Sequence, residues 1–369
     1  LEYINPFSVS SFSKKNPYIE TLRGLAIILV VVGHVIGSGN TGGMKVDDNS
    51  PFRYLYFSLK YIRLPLFTVI SGWVYASKPV MPYQKLRFLK GKIRRLVMPM
   101  VVLSSLLFFF RWIVPVTNFK TQLSEYPSFF LYPYDVYWYL YSLFIIFLVI
   151  SILDGIEQFH NFKGWATTLF IAFILFYISA ELLEPIPNYC GFKGAIYLLP
   201  FFLLGIAALR FKHILFQHKT LYLYLIVFTI SITLQQLSWF GLYPMFSRFT
   251  VQAVAIGFSS VLLLLSIKAK NSFLIKIGGF AYGIFLFHLF FAAAFRIAIT
   301  RAGIQNQLAI LVLTTVLSIV FSILIEKVLR KSPILRLIFL GLSFAQKKTE
   351  TSELIQRNIK TEEKTSLVV

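Results

Sequence analysis

Ten stretches of the chain are apolar for about the length needed to cross a bilayer, which constrains the fold more than any other feature. They run at about 22–38, 62–77, 96–116, 137–153, 164–180, 195–211, 220–240, 251–268, 277–299 and 307–329. Inside lipid every backbone N–H and C=O must be satisfied by the protein, which leaves helices or closed barrels. Unbroken apolar runs without strict alternation predict helices. The expected fold class is therefore an all-α polytopic membrane protein with about ten transmembrane helices. Composition agrees, with 57% hydrophobic and only 14% charged residues, against about 25% charged in soluble domains. The second stretch is short and holds Pro65, Ser71 and Gly72, so it is expected to be broken or tilted. Prolines and charges mark 181–187 as a loop, and no internal repeat is evident.

A formal net charge of +21 would suggest nucleic acid in a soluble chain. Here no nucleic-acid partner is needed, because cytoplasmic loops of membrane proteins accumulate Lys and Arg. The basic residues fall mainly in alternate loops: Lys14 and Lys15, then Lys78 to Arg95, then Arg210, Lys212 and Lys219, then Lys268, Lys270 and Lys276, and finally Arg330 to Lys348. The intervening loops are poorer, with Lys120, Lys193 and Arg248 nearly alone in theirs; the first loop (Lys45, Arg53, Lys60) is the exception, partly balanced by Asp47 and Asp48. The positive-inside rule then puts both termini in the cytoplasm. We expect a cytoplasmic N-terminal segment 1–19, a transmembrane domain 20–340 and a polar cytoplasmic tail 341–369, with no separate soluble domain at either end. The chain opens at Leu1 rather than Met, so a few preceding residues are expected. Residues 22–37 lack a small-x-small cleavage pattern and contain Arg23 and His34, which argues against a removed signal peptide. The single cysteine, Cys190, excludes an intrachain disulfide framework and a Cys-based metal cluster. No His, Asp or Glu grouping has metal-ligand spacing, and no Gly-rich phosphate loop is present.

The polar residues inside apolar runs are the functional candidates, since an ionisable group against lipid is costly. In the first stretch Arg23 and His34 fall within about 20° of one helical face, roughly 16 Å apart along the axis. The orientation above sets Arg23 near the cytoplasmic face and His34 in the outer half. Arg23 can pair with Glu20 one turn earlier or hold a phosphate with its planar fork of donors. Arg111 is expected at about His34's depth, where it can bind an acidic acceptor, stabilise an oxyanion or form a bundle salt bridge. His288, in mid-span, reads as a core histidine or a substrate contact. Ser71, beside Gly72, reads as packing or an acyl contact. Tyr137 and Trp138, after Asp135, read as belt aromatics or a sugar-stacking platform. Lys92, Arg94 and Arg95 read as headgroup anchors or phosphate contacts, Glu326 as structural.

The order of these patterns resembles the membrane-bound acyltransferase-3 family over about residues 18–340. The resemblance is carried by Arg23 with His34 and the acid Glu20, by Pro65-Leu-Phe-Thr-Val-Ile-Ser71-Gly72-Trp, by Lys92-Ile-Arg94-Arg95-Leu-Val-Met-Pro99, by Tyr137-Trp138-Tyr-Leu140, by Tyr282-Gly-Ile-Phe-Leu-Phe-His288 and by Glu326 through Pro333. The Pro-Leu-Phe and Leu-Pro-Phe-Phe-Leu-Leu-Gly205 stretches look most like its fucose 4-O-acetylase-like branch. Such a family implies O-acyl transfer, usually of acetyl from acetyl-CoA as co-substrate and with no bound cofactor, to a sugar hydroxyl of a surface glycan or lipid-linked precursor in the bacterial cytoplasmic membrane. His34 is then the candidate base or acyl carrier, with Arg23 beside it in the catalytic set. Arg23, Lys92, Arg94 and Arg95 are the candidate CoA contacts, and Arg111, Trp138, Ser71 and His288 the candidate acceptor contacts. A transporter or flippase for a lipid-linked glycan is the alternative. Membrane lipid is an expected partner, and the sequence leaves oligomeric state and the identity of the sugar open.

Overall fold

A computed structural model of the chain describes residues 16–343 with the exception of 79, 81, 115–116 and 184. Lys14, Lys15, Lys347, Lys348, the expected N-terminal segment up to 15 and the tail from 344 lie outside the described residues. The helices are α1 (Pro17–Ile36), α2 (Pro51–Leu59), α3 (Arg63–Ala76), α4 (Lys85–Lys92), α5 (Met98–Ile113), α6 (Trp138–Gly155), α7 (Phe162–Glu181), α8 (Phe192–Arg210), α9 (Lys212–Leu215), α10 (His218–Trp239), α11 (Val251–Ile267), α12 (Ser272–Gly279), α13 (Ala281–Arg301), α14 (Gln307–Lys331) and α15 (Pro333–Leu340). Among the described residues there are no strands.

Local chemistry explains where these helices begin and end. α1 starts at Asn16, whose side chain accepts from the Tyr18 N–H, followed by Pro17 in the first turn. It stops at Gly37, where φ is +86°. α11 and α14 start on the side chains of Thr250 and Asn306, which accept from Ala253 and Ala309. Between α4 and α5 a π-helical stretch, Ile93–Val97, carries Arg94 and Arg95; such wide turns interrupt helices most often where function requires it.

Each of the ten predicted stretches is helical, but among the described residues eight helices are long and apolar enough to cross a membrane, or nine if one bent pair counts as a span. Two differences account for this. α3 has 14 residues, about 21 Å of helix against a hydrocarbon thickness of about 30 Å. The stretch predicted at 251–268 is α11, whose 17 residues reach membrane length only together with α12; the segment predicted at 277–299 remains one span, α13, although Ile277–Gly279 belong to α12. α12 instead pairs with α11 across a 120° bend, with Lys268 in the left-handed region at the end of α11. That bend carries α12 against α1, where Gly24 faces the Leu274 carbonyl and Gly278 the Glu20 carbonyl.

α3, too short to span, is held by α8 at a crossing where Gly72 meets the Phe202 carbonyl and Gly205 meets that of Val69. Small residues let the two backbones approach, the usual basis of helix association in lipid. α13 lies on α14, and both contact α1. α10 buries only Ser231, Gln235 and Ser238 and exposes Tyr222, Leu223, Leu225, Ile226 and Ile230, so its apolar surface faces lipid. Asn16 and Leu342 border one cavity, so both ends of the described chain lie at the same face of the bundle.

Candidate functional site

α1 presents His34 to α13, where the His34 Nδ1 lies 3.2 Å from the His288 Nε2. His288 is fully buried, and its Nδ1 lies 3.0 and 2.9 Å from the carbonyls of Ile284 and Phe285. A carbonyl only accepts, so in the neutral ring the His288 Nδ1 carries the proton and its Nε2 accepts. His34 Nδ1–H is then the donor, and His34 Nε2 keeps its lone pair. This tautomer is assigned from the hydrogen-bond partners. The His34 ring borders two cavities.

Arg63, the first residue of α3, completes this centre. Its Nη1 packs on Gly33 so closely that a Cβ there would occupy its place. Its guanidinium stacks over Tyr56 at 4.2 Å, while Nη1 is buried with no hydrogen-bond partner. The absent side chain at position 33 is what lets a cation sit beside the catalytic-candidate imidazole.

The larger of the two cavities, about 370 Å³, is bordered by His34, Arg63, Arg111, Asp135, Trp138 and Arg296, among others. Arg111 is ion-paired with Asp135, whose φ of +47° lies in the left-handed region. Arg296 donates to Asn118, and Asn118 donates to the Gly43 carbonyl, both at 3.0 Å, tying α13 to two loops over the cavity. The second cavity, about 260 Å³, shares His34, Tyr56, Arg63, Val136 and Trp138 with the first and adds Lys60, Tyr61, Tyr197 and Arg248. Tyr137 donates to the Leu286 carbonyl at 2.8 Å, which fixes α13 two residues before His288 and aims the next residue, Trp138, into both cavities.

Arg23 lies at the other end of α1 and borders two further cavities of about 680 and 150 Å³. It is paired with Glu20 at 2.7 Å, and Glu326 with Arg330 at 2.5 Å. Arg95 borders both cavities; its guanidinium lies over Tyr282, whose hydroxyl donates to the Arg95 carbonyl. Lys92 borders the smaller one with its amine over Phe147 at 3.4 Å.

Three rings stand between the two ends. Phe67, Tyr139 and Phe285 each border both the 260 Å³ cavity beside His34 and the 680 Å³ cavity beside Arg23. Their centroids lie 5.5 Å (Phe67–Tyr139), 6.0 Å (Phe67–Phe285) and 5.5 Å (Tyr139–Phe285) apart, so each ring touches the other two. They form an aromatic partition one ring thick.

The structure thus separates the predicted residues into two groups. His34, Arg111 and Trp138 border the connected cavities at one end. Arg23, Lys92, Arg95 and Ser71 border those at the other, Ser71 lying 3.4 Å from the Tyr139 hydroxyl. Two residues sit apart from both. His288 borders none of these four cavities and meets His34 instead, which suits it to positioning rather than to touching an acceptor. Arg94 donates to the Gly341 carbonyl at 3.1 Å and borders none of them. Arg63 and Arg296 were not anticipated. Arg63 falls at the edge of a predicted span, where a charge looks like a boundary. Arg296 lies within the apolar run of α13, and the rule that singles out Arg111 applies to it equally. Among the described residues no group of three His, Cys, Asp or Glu side chains converges to hold a metal.

Buried imidazoles, arginine-lined cavities at both ends and a helical bundle of membrane length define an integral membrane protein with polar cavities inside its bundle. The family model described as an acyltransferase domain matches residues 16–327, and the chain belongs to that family, acyltransferase-3. It is a membrane acyltransferase. No curated protein and no solved structure matches the chain.

Proposed function

We propose that the protein moves acetyl from acetyl-CoA to a hydroxyl of a cell-envelope or exopolysaccharide sugar at the bacterial cytoplasmic membrane. The observation that carries this is the His34 imidazole, held by His288 in the tautomer that leaves Nε2 free at the junction of two cavities. A sugar hydroxyl is a weak nucleophile near neutral pH, and a base that takes its proton during attack accelerates transfer. The hydroxyl oxygen bonds to the thioester carbonyl carbon while its proton passes to His34 Nε2. Collapse of the tetrahedral intermediate breaks the C–S bond, and the His34 imidazolium returns the proton to the leaving thiolate. Arg63, beside His34, is the cation suited to the oxyanion of that intermediate.

The donor arrives from the Arg23 end. Arg23, Lys92 and Arg95 offer cations for CoA phosphates there, and acetyl-CoA is made in the cytoplasm. The Lys- and Arg-rich segments 78–95 and 330–336 favour the same orientation by the positive-inside rule. The extended pantetheine arm then passes the partition of Phe67, Tyr139 and Phe285 to bring its thioester to His34, while the acceptor comes from the opposite side. The flippase alternative draws no support from the family match.

The test is transfer of radiolabel from acetyl-CoA to a glycan extract by purified protein in liposomes. Wild type labels the glycan, and His34→Ala with its fold retained does not. Equal labelling by the variant would sink the proposed base. Label stable on the protein itself and dependent on His34 would replace the base with an acyl-carrying imidazole.

A further inference from the structure

We propose that the acceptor carries a carboxylate or phosphate beside the hydroxyl that is acylated, and that Lys60 and Arg248, next to the Arg63 that faces the oxyanion, are the site that reads this charge. The inference rests on the acyl-transfer reading and names the class of acceptor for it. The connected cavities at the His34 end are bordered by five cations, Lys60, Arg63, Arg111, Arg248 and Arg296, against one carboxylate, Asp135. That carboxylate is committed to Arg111. The smaller cavity is more lopsided, with Lys60, Arg63 and Arg248 on its wall and no acid.

Several other arginines of the bundle have counter-ions, Arg23 with Glu20, Arg210 with Asp154 and Arg330 with Glu326, while Arg95 at the opposite end lies over Tyr282. None of the ion pairs among the described residues involves Lys60, Arg63 or Arg248. Aromatic faces hold these three instead. The Lys60 amine lies over Tyr61 at 4.9 Å, Arg63 over Tyr56 at 4.2 Å, and Arg248 over Tyr197 at 5.1 Å and Phe249 at 5.2 Å. A ring face attracts a cation without neutralising it, so each group is held in place with its charge uncompensated. Arg63 Nη1, pressed on Gly33, has no acceptor within the described residues, so its charge is met by no group there. Like charges converge here against their own repulsion, and an anion in the cavity relieves it. The same walls supply Trp138 and Tyr139, aromatic surfaces on which a sugar ring packs. His34 borders the cavity as well, so a sugar anchored by its charge presents a neighbouring hydroxyl to Nε2. Together these features select an anionic sugar.

The test is equilibrium dialysis of the purified full chain in detergent. The probes are radiolabelled glucuronic acid, its uncharged amide glucuronamide, glucose 1-phosphate and glycerol 1-phosphate, the last standing for a lipid headgroup. Glucuronic acid or glucose 1-phosphate is expected to bind about tenfold or more tightly than glucuronamide. Arg248→Gln and Lys60→Gln should each remove most of that advantage, and Arg248→Lys should keep part of it. Equal binding of glucuronic acid, glucose 1-phosphate and glucuronamide overturns the proposal, as does an advantage that survives both Gln variants. Glycerol phosphate binding as tightly as the sugars would make this a headgroup site and overturn it too. Release of CoA thiol from acetyl-CoA, measured on the same preparation, separates the two readings. Charge-selective binding without thiol release removes the acyl transfer and leaves the site, while thiol release without charge selectivity does the reverse.

Discussion

His34 and His288 differ by what their Nδ1 atoms face, and that difference assigns their tasks. Two carbonyls fix the proton on His288, so it accepts from His34 and leaves His34 Nε2 free. His34→Ala should lower the rate of acyl transfer by roughly 10²–10⁴-fold, the usual worth of a positioned base. His288→Ala should cost less, about tenfold to a hundredfold, and fall on kcat rather than KM, because the base survives but loses its orientation; steady-state kinetics with acetyl-CoA distinguish the two. Gly33→Ala places a methyl where the Arg63 guanidinium sits. It should reduce kcat by about tenfold or more while circular dichroism shows the helical content unchanged, if Arg63 stabilises the oxyanion. Lys60 gives a pH prediction. Burial, then Arg248 and Arg63, pull its amine below the ordinary lysine range, while Tyr61 beneath it is pushed up to about 12 and stays neutral. As pH rises Lys60 is the first of the three cations to lose its proton. The preference for glucuronic acid over glucuronamide should therefore shrink on going from pH 7 toward lysine's ordinary range, and Lys60→Gln should flatten that dependence in the same dialysis measurement.

Helix α3 has a short membrane segment for a mechanical reason that matters to the site. Its N-terminus delivers Arg63 to His34, its middle supplies Phe67 to the partition, and Ser71 and Val74 border the Arg23 cavities. One short helix thus touches both ends of the proposed path. It is clamped to α8 at Gly72 and Gly205, where backbone meets backbone and neither side can yield easily. Gly72→Val should destabilise the protein by about 1–3 kcal/mol or more, as overpacking does, read from thermal unfolding in detergent. The partition itself is built from three side chains in mutual contact. Removing one ring should open it: in Phe285→Ala, acetyl-CoA should be hydrolysed by water faster than in wild type relative to transfer, measured as thiol released per acetyl transferred. An unchanged ratio would show that the rings do not separate the two cavities.

The bundle as a whole places two polar chambers end to end within a molecule whose outer surface is apolar. Such an arrangement suits a donor and an acceptor that approach from opposite sides of a bilayer. Impermeant maleimide tests that directly once the exposed Cys190 is replaced by Ser. Ser71→Cys borders the Arg23 cavities and Ala293→Cys the largest cavity at the His34 end. In sealed vesicles of one orientation each should be labelled from a different side, and adding Phe285→Ala should weaken that sidedness. Labelling of both from the same side in the unmodified partition would rule out the through-bundle path.

All-helical class and ten apolar segments were legible in the chain, because a bilayer imposes a one-dimensional rule on length and polarity that needs no knowledge of neighbours. The same rule marked Arg23, His34 and Arg111, and helical periodicity set Arg23 and His34 at opposite ends of α1. Contacts between distant segments were not legible. Residues 34 and 288 are far apart in sequence, and nothing local says that one imidazole accepts from the other or which nitrogen remains free. α3 is too short to span and α11 reaches membrane length only with α12 across a 120° bend packed on α1, so among the described residues the count of spans falls from ten to eight or nine. Arg63 reads as a charge at the edge of a helix until Gly33 is found beneath it. Burial in lipid is decided by each segment's own composition, and so the sequence carries it. The placing of one charge against another is decided by which helices touch, and it emerges only when the bundle closes.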